Sequence, residues 1–419
     1  MDQGNTAFVL ISAALVLLMT PGLAFFYGGM VKAKSVVSMM MLSFGSLGLI
    51  AVLWVLYGYA ISFSNGGTDT FVGIDGWFGI DTSFLGLNAQ VADAAKPAGA
   101  YPTLAFVAFQ ATFAIITVAL ISGAIADRAK FGAWMVFAGL WATIVYFPVA
   151  NWVFNFTLED GKVVDGGWIV YGLGVIDFAG GTAVHINAGA AGLALAIVLG
   201  KRFGFSKGIM QPHNVPLTLL GTALLWFGWF GFNAGSEVAA DGIASLAFIN
   251  TMAAPAAAML GWILIEKLKH GKATSIGAAS GAVAGLVAIT PACASLTPLW
   301  AMVLGVLAGV LCALAVDLKF QFGFDDSLDV VGIHLVGGIV GTLFIGFFGT
   351  GVGLLQTGSW NQLAAQAIGA FSVLFYSFTL SLIIGFAIEK TIGFRVKAED
   401  EIAGIDTVVH GEEAYAFGS

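Results

Sequence analysis

The chain has 419 residues, 59% of them hydrophobic and 10% charged, with a mean hydropathy of +0.94. Soluble domains carry about a quarter charged residues, so this composition excludes a water-soluble globular protein and defines an integral membrane protein. A formal net charge of −8 lacks the basic footprint of a nucleic-acid binder, and the acidic residues fall mostly in connecting segments and the tail.

The N-terminal stretch MDQGNTAFVLISAALVLLMTPGLAFFYGG has no basic residue before its apolar run and no small-residue cleavage pattern, so it reads as a retained first helix. A helical crossing needs about 20 apolar residues. Runs of that kind lie near 7–29, 36–62, 103–124, 132–153, 177–200, 215–235, 243–266, 275–291, 298–318, 328–349 and 361–388. They predict an all-α integral membrane fold of eleven transmembrane helices, with a membrane domain over 1–390 and a cytoplasmic tail over 391–419. With the N-terminus outside, fourteen basic residues fall in inner connections or the tail, Lys207 among them, and only Lys96 and Lys162 fall outside. That bias orients the chain N-out and C-in.

The fifth run contains DFAGGTAVHINAGAAG, Asp177 to Gly192, and the tenth contains DSLDVVGIHLVGGIVG, Asp326 to Gly341. In each, an aspartate stands eight residues before a histidine, and glycines follow the histidine at plus four and plus seven. The fifth and tenth helices run in opposite directions across the membrane. The chain therefore reads as an inverted five-plus-five repeat, over about 7–200 and 215–349, with a site between the halves. An ionisable side chain inside a membrane is a functional-site hypothesis by default, so His185 and His334 are expected to face a pathway. Asp177 and Asp326 read as carboxylates that accept amide hydrogen bonds at the positive ends of their helices, with a direct role in proton or cation handling as the alternative. Gly189 and Gly338, with Gly192 and Gly341, share the histidine faces and permit close approach of another helix or of substrate.

On the third helix Phe106, Phe109 and Phe113 share a face. The sixth ends in WFGWFGFNAGS, which places Trp226, Trp229, Phe232, Asn233 and Ser236 near the outer surface. That position fits either an aromatic interface belt or a cation site made of ring faces and a hydroxyl. Cys293 and Cys312 lack a metal-type spacing and read as inert buried thiols. The chain has no phosphate loop, nucleophile elbow or HExxH pattern, so enzymatic chemistry, a cofactor and a metal are not expected.

The stretches GLAFFYGGMVKAKSVVSMM, AFVAFQATFAIITVALISGAIADR, DFAGGTAVHINAG, WFGWFGFNAGS, ITPACA, VVGIHLVGGIVGT and GIDTVVHGEEAY, in this order, resemble the ammonium transporter family (Amt/Mep, related to Rh proteins) from about residue 6 to 416. The resemblance implies a homotrimer in a bacterial plasma or inner membrane, with one pore per subunit for ammonium or ammonia, and methylammonium as analogue. It assigns His185 and His334 as twin pore histidines and Phe109 with Phe232 as a stacked gate. Ser236 joins an outer recruitment site with Asp177 below it, and Thr290 falls near the pore. Relatives often complete that recruitment site with a tryptophan at the end of the fourth helix. Here that position falls on Phe154, with Trp152 two residues earlier, and either could form the wall. Family members also receive a PII-type signalling protein on their cytoplasmic face. The mechanism expected is recruitment and deprotonation of NH4+ outside, then passage of NH3 past the histidines, with the proton's route open. The alternative is an ammonium sensor that signals through its tail and a PII-type partner.

Overall fold

Inside a membrane the backbone has no water to bond, so each apolar run must satisfy its own amides as a helix. The computed structural model describes residues 1–64, 66, 69–94, 100–159, 162–205 and 211–415; Lys96 and Lys207 lie outside these residues. Ten described helices are long and apolar enough to cross a membrane: Gln3–Met30, Val36–Ser62, Thr103–Ile125, Phe131–Phe154, Gly181–Leu199, Val215–Glu237, Gly242–His270, Pro298–Phe322, Val331–Phe348 and Asn361–Thr391. The shorter apolar helix Ser275–Ile289 takes the eighth place in chain order, which is consistent with the eleven crossings that the apolar runs predict. Fifteen residues rise only about 22 Å. Its crossing continues through Thr290 to Leu296, which is non-helical and mostly buried, as irregular backbone at membrane depth must be.

The all-α expectation needs one amendment. Two antiparallel hairpins occupy the connections after helices two and four, β1 (Phe71–Ile74) with β2 (Phe78–Asp81), and β3 (Phe156–Glu159) with β4 (Lys162–Gly166). The first turns at Asp75-Gly76, where Gly76 adopts φ +69°. That conformation suits glycine, and the dipeptide is a hairpin signal in its own right. Trp77 stacks on Trp168 with centroids 4.7 Å apart, joining the two hairpins.

The two halves repeat one another in their helix contacts. Gly22 and Gly228 are 206 positions apart, as are Met19 and Leu225. A Cβ on Gly22 would lie 3.3 Å from the Leu225 nitrogen, and one on Gly228 would lie 2.3 Å from Met19 Cγ. Helices one and six therefore meet through reciprocal glycines. Helices five and ten do the same at a spacing of 149, where a Cβ on Gly189 would come 2.5 Å from the Leu335 nitrogen and one on Gly338 2.9 Å from Ile186 Cγ1.

Charges tie the inner ends. Arg202, at the end of helix five, pairs with Asp127 at 3.1 Å and with Asp325 at 2.9 Å. The buried Arg128 donates to the Asp325 carbonyl and to Ser327 Oγ. Burial pushes its guanidinium down to about 10, so it remains charged at neutral pH. The tail packs on the same surface. Asp406 accepts the N–H groups of Val37 and Ser38 at 3.0 and 2.7 Å and so caps helix two, whose own Ser35 makes no side-chain cap. Arg395 pairs with Glu401, which also accepts the Phe203 N–H, and Tyr415 hydrogen-bonds His213 at 2.8 Å.

The glycine contacts carry a test. Gly189→Ala must push helix five away from helix ten and is expected to destabilise the protein by about 1–3 kcal/mol, read as a lower melting temperature in detergent. Gly132→Ala, where a Cβ meets nothing within 4 Å, is the control and should leave melting unchanged or slightly raised.

Candidate functional site

Helices five and ten both open with a wide π-helical turn, Gly181–Ile186 and Val331–Leu335, and each turn carries its histidine. Such turns are rare and often mark functional positions. Asp177 lies before its helix rather than within the first turn of one starting at 177. Its carboxylate nevertheless reaches the exposed amides: Oδ1 accepts from Gly180 and Gly181 at 2.9 and 2.6 Å, and Oδ2 from Thr182 and Ala183 at 2.8 and 3.2 Å. Asp326 repeats this on Val330 and Val331 at 3.1 and 2.7 Å. The four unpaired N–H groups of a helix start need such partners when water is absent. The segments bearing the caps dock on the ends of other helices. Phe178 N–H donates to the Pro291 carbonyl, and Ser327 and Leu328 donate to those of Ala124 and Gly123.

These contacts bring the two histidines together. His185 Nδ1 and His334 Nδ1 lie 3.2 Å apart, so one ring donates and the other accepts. His185 Nε2 is buried with no partner among the described residues. Both rings border a small cavity with room for the centre of a water-sized molecule over about 10 Å³, the least that holds one such molecule. Its other walls are apolar, formed by Leu23, Ile116, Leu120, Leu225 and Val283 with the rings of Trp229 and Phe232.

The aromatic assignments need correction. The ring stacked on Phe232 belongs to Phe113, with centroids 4.2 Å apart and planes at 22°. Phe109 meets Phe113 edge-on at 4.9 Å. Phe109 and Phe113 share one face of helix three, and only the position of helix six decides which of them reaches Phe232. Phe109 instead approaches Gly235, beside Ser236; a Cβ on that glycine would lie 3.0 Å from the Phe109 ring. Ser236 donates its hydroxyl to the Phe232 carbonyl at 2.8 Å, which leaves its oxygen free to accept.

Of the two candidates on helix four, Phe154 packs edge-on against Phe113 at 6.0 Å. Trp152 points elsewhere: its ring contacts Trp168 and Tyr376, and its N–H donates to the Trp77 carbonyl. It does not join the cluster with Phe109 and Ser236. Trp229 is 1% exposed and is not part of a surface belt. It stacks on His185 with centroids 5.4 Å apart at 18°. Its N–H donates to Thr290 Oγ1 at 2.9 Å, so Thr290 meets Trp229 and is not among the residues lining the cavity. The stacking on His185 was not legible in sequence, because Trp229 faces it across a helix interface. At the inner end a larger cavity of about 460 Å³ is bordered by Arg202, Gln211, Lys319 and Asp329.

A multi-pass membrane fold with paired histidines between inverted halves, under a stack of phenylalanines, defines a small-solute transporter. The ammonium transporter family model matches residues 7–415. The ammonium transporter of Mycobacterium tuberculosis is 56% identical, over 99% of this chain and 91% of that protein. The crystal structure of Saccharomyces cerevisiae Mep2 superposes with a TM-score of 0.84 at 32% identity, over 95% of this chain and 88% of that one. A structure titled Sensor Amt Protein matches with a TM-score of 0.87 at 28% identity, over 97% and 98% of the two chains. The chain belongs to the ammonium transporter family, and it is a multi-pass membrane protein that transports ammonium.

The caps supply a prediction. Asp177→Ala leaves four amides at a helix start without their acceptor, and it is expected to cost about 2 kcal/mol or more. Asp177→Asn, which keeps one acceptor oxygen, should fall between it and the parent. Thermal unfolding of the purified protein gives the order directly.

Proposed function

We propose that the protein gathers NH4+ at its outer face, where the ion releases a proton that either returns to the outer water or travels inward, and conducts NH3 past His185 and His334. The observation that carries this reading is the 3.2 Å histidine pair beside a cavity sized for one small molecule. The named walls of that cavity carry no carboxylate. Ammonium and potassium ions are alike in size and charge, and stripping water from either without a counter-charge is very costly. Ammonia is neutral and can give or accept a hydrogen bond at an imidazole nitrogen. Only the ion that can lose a proton has a low-cost form for this cavity, so selectivity follows from chemistry rather than radius.

In this reading Phe109, Phe154 and Ser236 form the recruitment site, ring faces and a hydroxyl oxygen standing in for water. The Phe113–Phe232 stack, rather than Phe109 with Phe232, excludes the hydration shell. A phenylalanine at 154 makes a weaker cation–π wall than tryptophan would. Asp177 acts by holding the turn that carries His185, with Asp326, Gly189 and Gly338 as structural supports. The basic connections mark the inner side, where the larger cavity would return ammonia to water. Chains associate as homotrimers with one pore each, residues 391–419 form a cytoplasmic tail, and a PII-type protein docks on that face. The tail's contacts with the connections after helices one, three and five, at Lys34, Arg128 and Phe203, support this last assignment.

The test is current from protein in liposomes on a solid-supported membrane, pulsing ammonium and then potassium at equal ionic strength. The parent should respond to ammonium alone if the proton travels with the substrate. If ammonia crosses alone, it should show internal alkalinisation without current. Replacing both His185 and His334 by alanine should abolish the preference for ammonium over potassium. Methylammonium uptake as selective as the parent's in that double variant would sink the mechanism. His185→Glu should add a potassium current, since a carboxylate binds dehydrated cations directly.

A further inference from the structure

Hydrogen-bonded only at Nδ1, an imidazole can still swing its ring about that contact, because the torsion that sets its plane is broad. Among the described residues, the His185 ring has that one bond to His334, and its Nε2 has no partner. A second constraint comes from the stacked indole of Trp229, 5.4 Å away at 18°. The indole is itself held, since its N–H donates to Thr290 Oγ1 at 2.9 Å and the Thr290 hydroxyl donates to the Leu286 carbonyl at 2.7 Å. Thr290, Trp229 and His185 are all essentially buried. A continuous path thus runs from the end of helix eight to the plane of one pore histidine.

Among the described residues, the other histidine has no such partner. Leu23 and Trp229 are 206 positions apart, the spacing that relates Gly22 to Gly228 and Met19 to Leu225, and both border the cavity. The position that holds an indole in the second half holds an aliphatic chain in the first. Among the described residues, His334 stacks only on His185, at 5.3 Å and 21°.

We propose that Thr290 is a positioning residue for ammonia conduction: through Trp229 it fixes the ring plane of His185 and so aims Nε2 into the cavity. The substrate would touch His185 and Trp229 but never Thr290. This inference rests on the ammonia-conduction reading above. Failure of that reading would be visible separately, as a parent protein that passes potassium as well as ammonium.

Three variants isolate the tether. Thr290→Val keeps the size and removes the hydroxyl, Thr290→Ser keeps the hydroxyl, and Trp229→Phe keeps an aromatic face but removes the N–H. Each is reconstituted in liposomes and assayed for ammonium rate, the ammonium-to-potassium ratio and the pH profile. Thr290→Val and Trp229→Phe are each expected to lower the rate by about tenfold and to shift the pH profile. Combined, they should cost clearly less than the product of the two separate losses, because both cut the same link. Thr290→Ser should stay within about twofold of the parent. Parent-like rate, ratio and pH profile in Thr290→Val would overturn the proposal, as would a Thr290→Ser variant as impaired as Thr290→Val. Should Thr290→Val fail to fold, Trp229→Phe decides: unchanged selectivity and pH profile there would equally overturn it.

Discussion

The hydrogen bond between His185 and His334 makes demands that reach through much of the fold. Two side chains from opposite halves can meet at 3.2 Å only if their helices nearly touch, and Gly189 against Leu335 and Gly338 against Ile186 remove the atoms that would hold them apart. The histidines also sit in the opening turns of their helices, where amides lack intrahelical partners. Asp177 and Asp326 supply the acceptors, and the π-helical turns follow directly after them. Loss of close approach or of the caps would leave the pair without a defined geometry. The repeated spacing of aspartate, histidine and glycine is thus a single device used twice.

How much of this could be read from the sequence depends on whether the cause is local. Apolar length is local, so the crossings were legible, and so was the eight-residue interval between each aspartate and its histidine. The irregular end of helix eight was not, because proline at 291 is compatible with either a kink or a break, and what decides is the packing of Pro291 against Gly181. Phe109 and Phe113 lie on one helix face, and only helix six selects Phe113 as the ring that stacks on Phe232. Trp152 and Phe154 are two residues apart on a helix, hence on roughly opposite faces, and nothing in their own segment says which side the cluster occupies. The first hairpin is a different case, since Asp75-Gly76 is a local signal that an apolar-run reading passes over.

The inverted repeat builds the scaffold symmetrically but leaves its surroundings unequal. Helices one and six meet through matching glycines, yet Leu23 and Trp229 occupy equivalent places beside the histidines. One end of the protein offers aromatic rings and the Ser236 hydroxyl, while the other offers a larger cavity bordered by Arg202, Lys319 and Asp329. A neutral solute needs no such polarity to cross. A cation that must shed and regain a proton does, because its charged form has to be held at one end and rehydrated at the other.

The inner surface shows what that polarity costs the fold. Arg128 is fully buried and stays charged, which is tolerable because the carbonyls of Ala126 and Asp325 and the Ser327 hydroxyl accept from it and the Asp325 and Asp127 carboxylates lie near. The same Asp325 binds Arg202, and the Arg202 segment is held in turn by Glu401 of the tail. Asp325 and Asp326 are adjacent, so the residue anchoring the inner ion pairs stands next to the one capping the His334 helix. The tail thus reaches the start of helix ten through two contacts, Glu401 with the Phe203 N–H and Arg202 with Asp325. The tail's own Asp406 meanwhile secures the start of helix two. The paired histidines are set by apolar packing and caps within the membrane, but the helix that carries one of them is anchored outside it by charge.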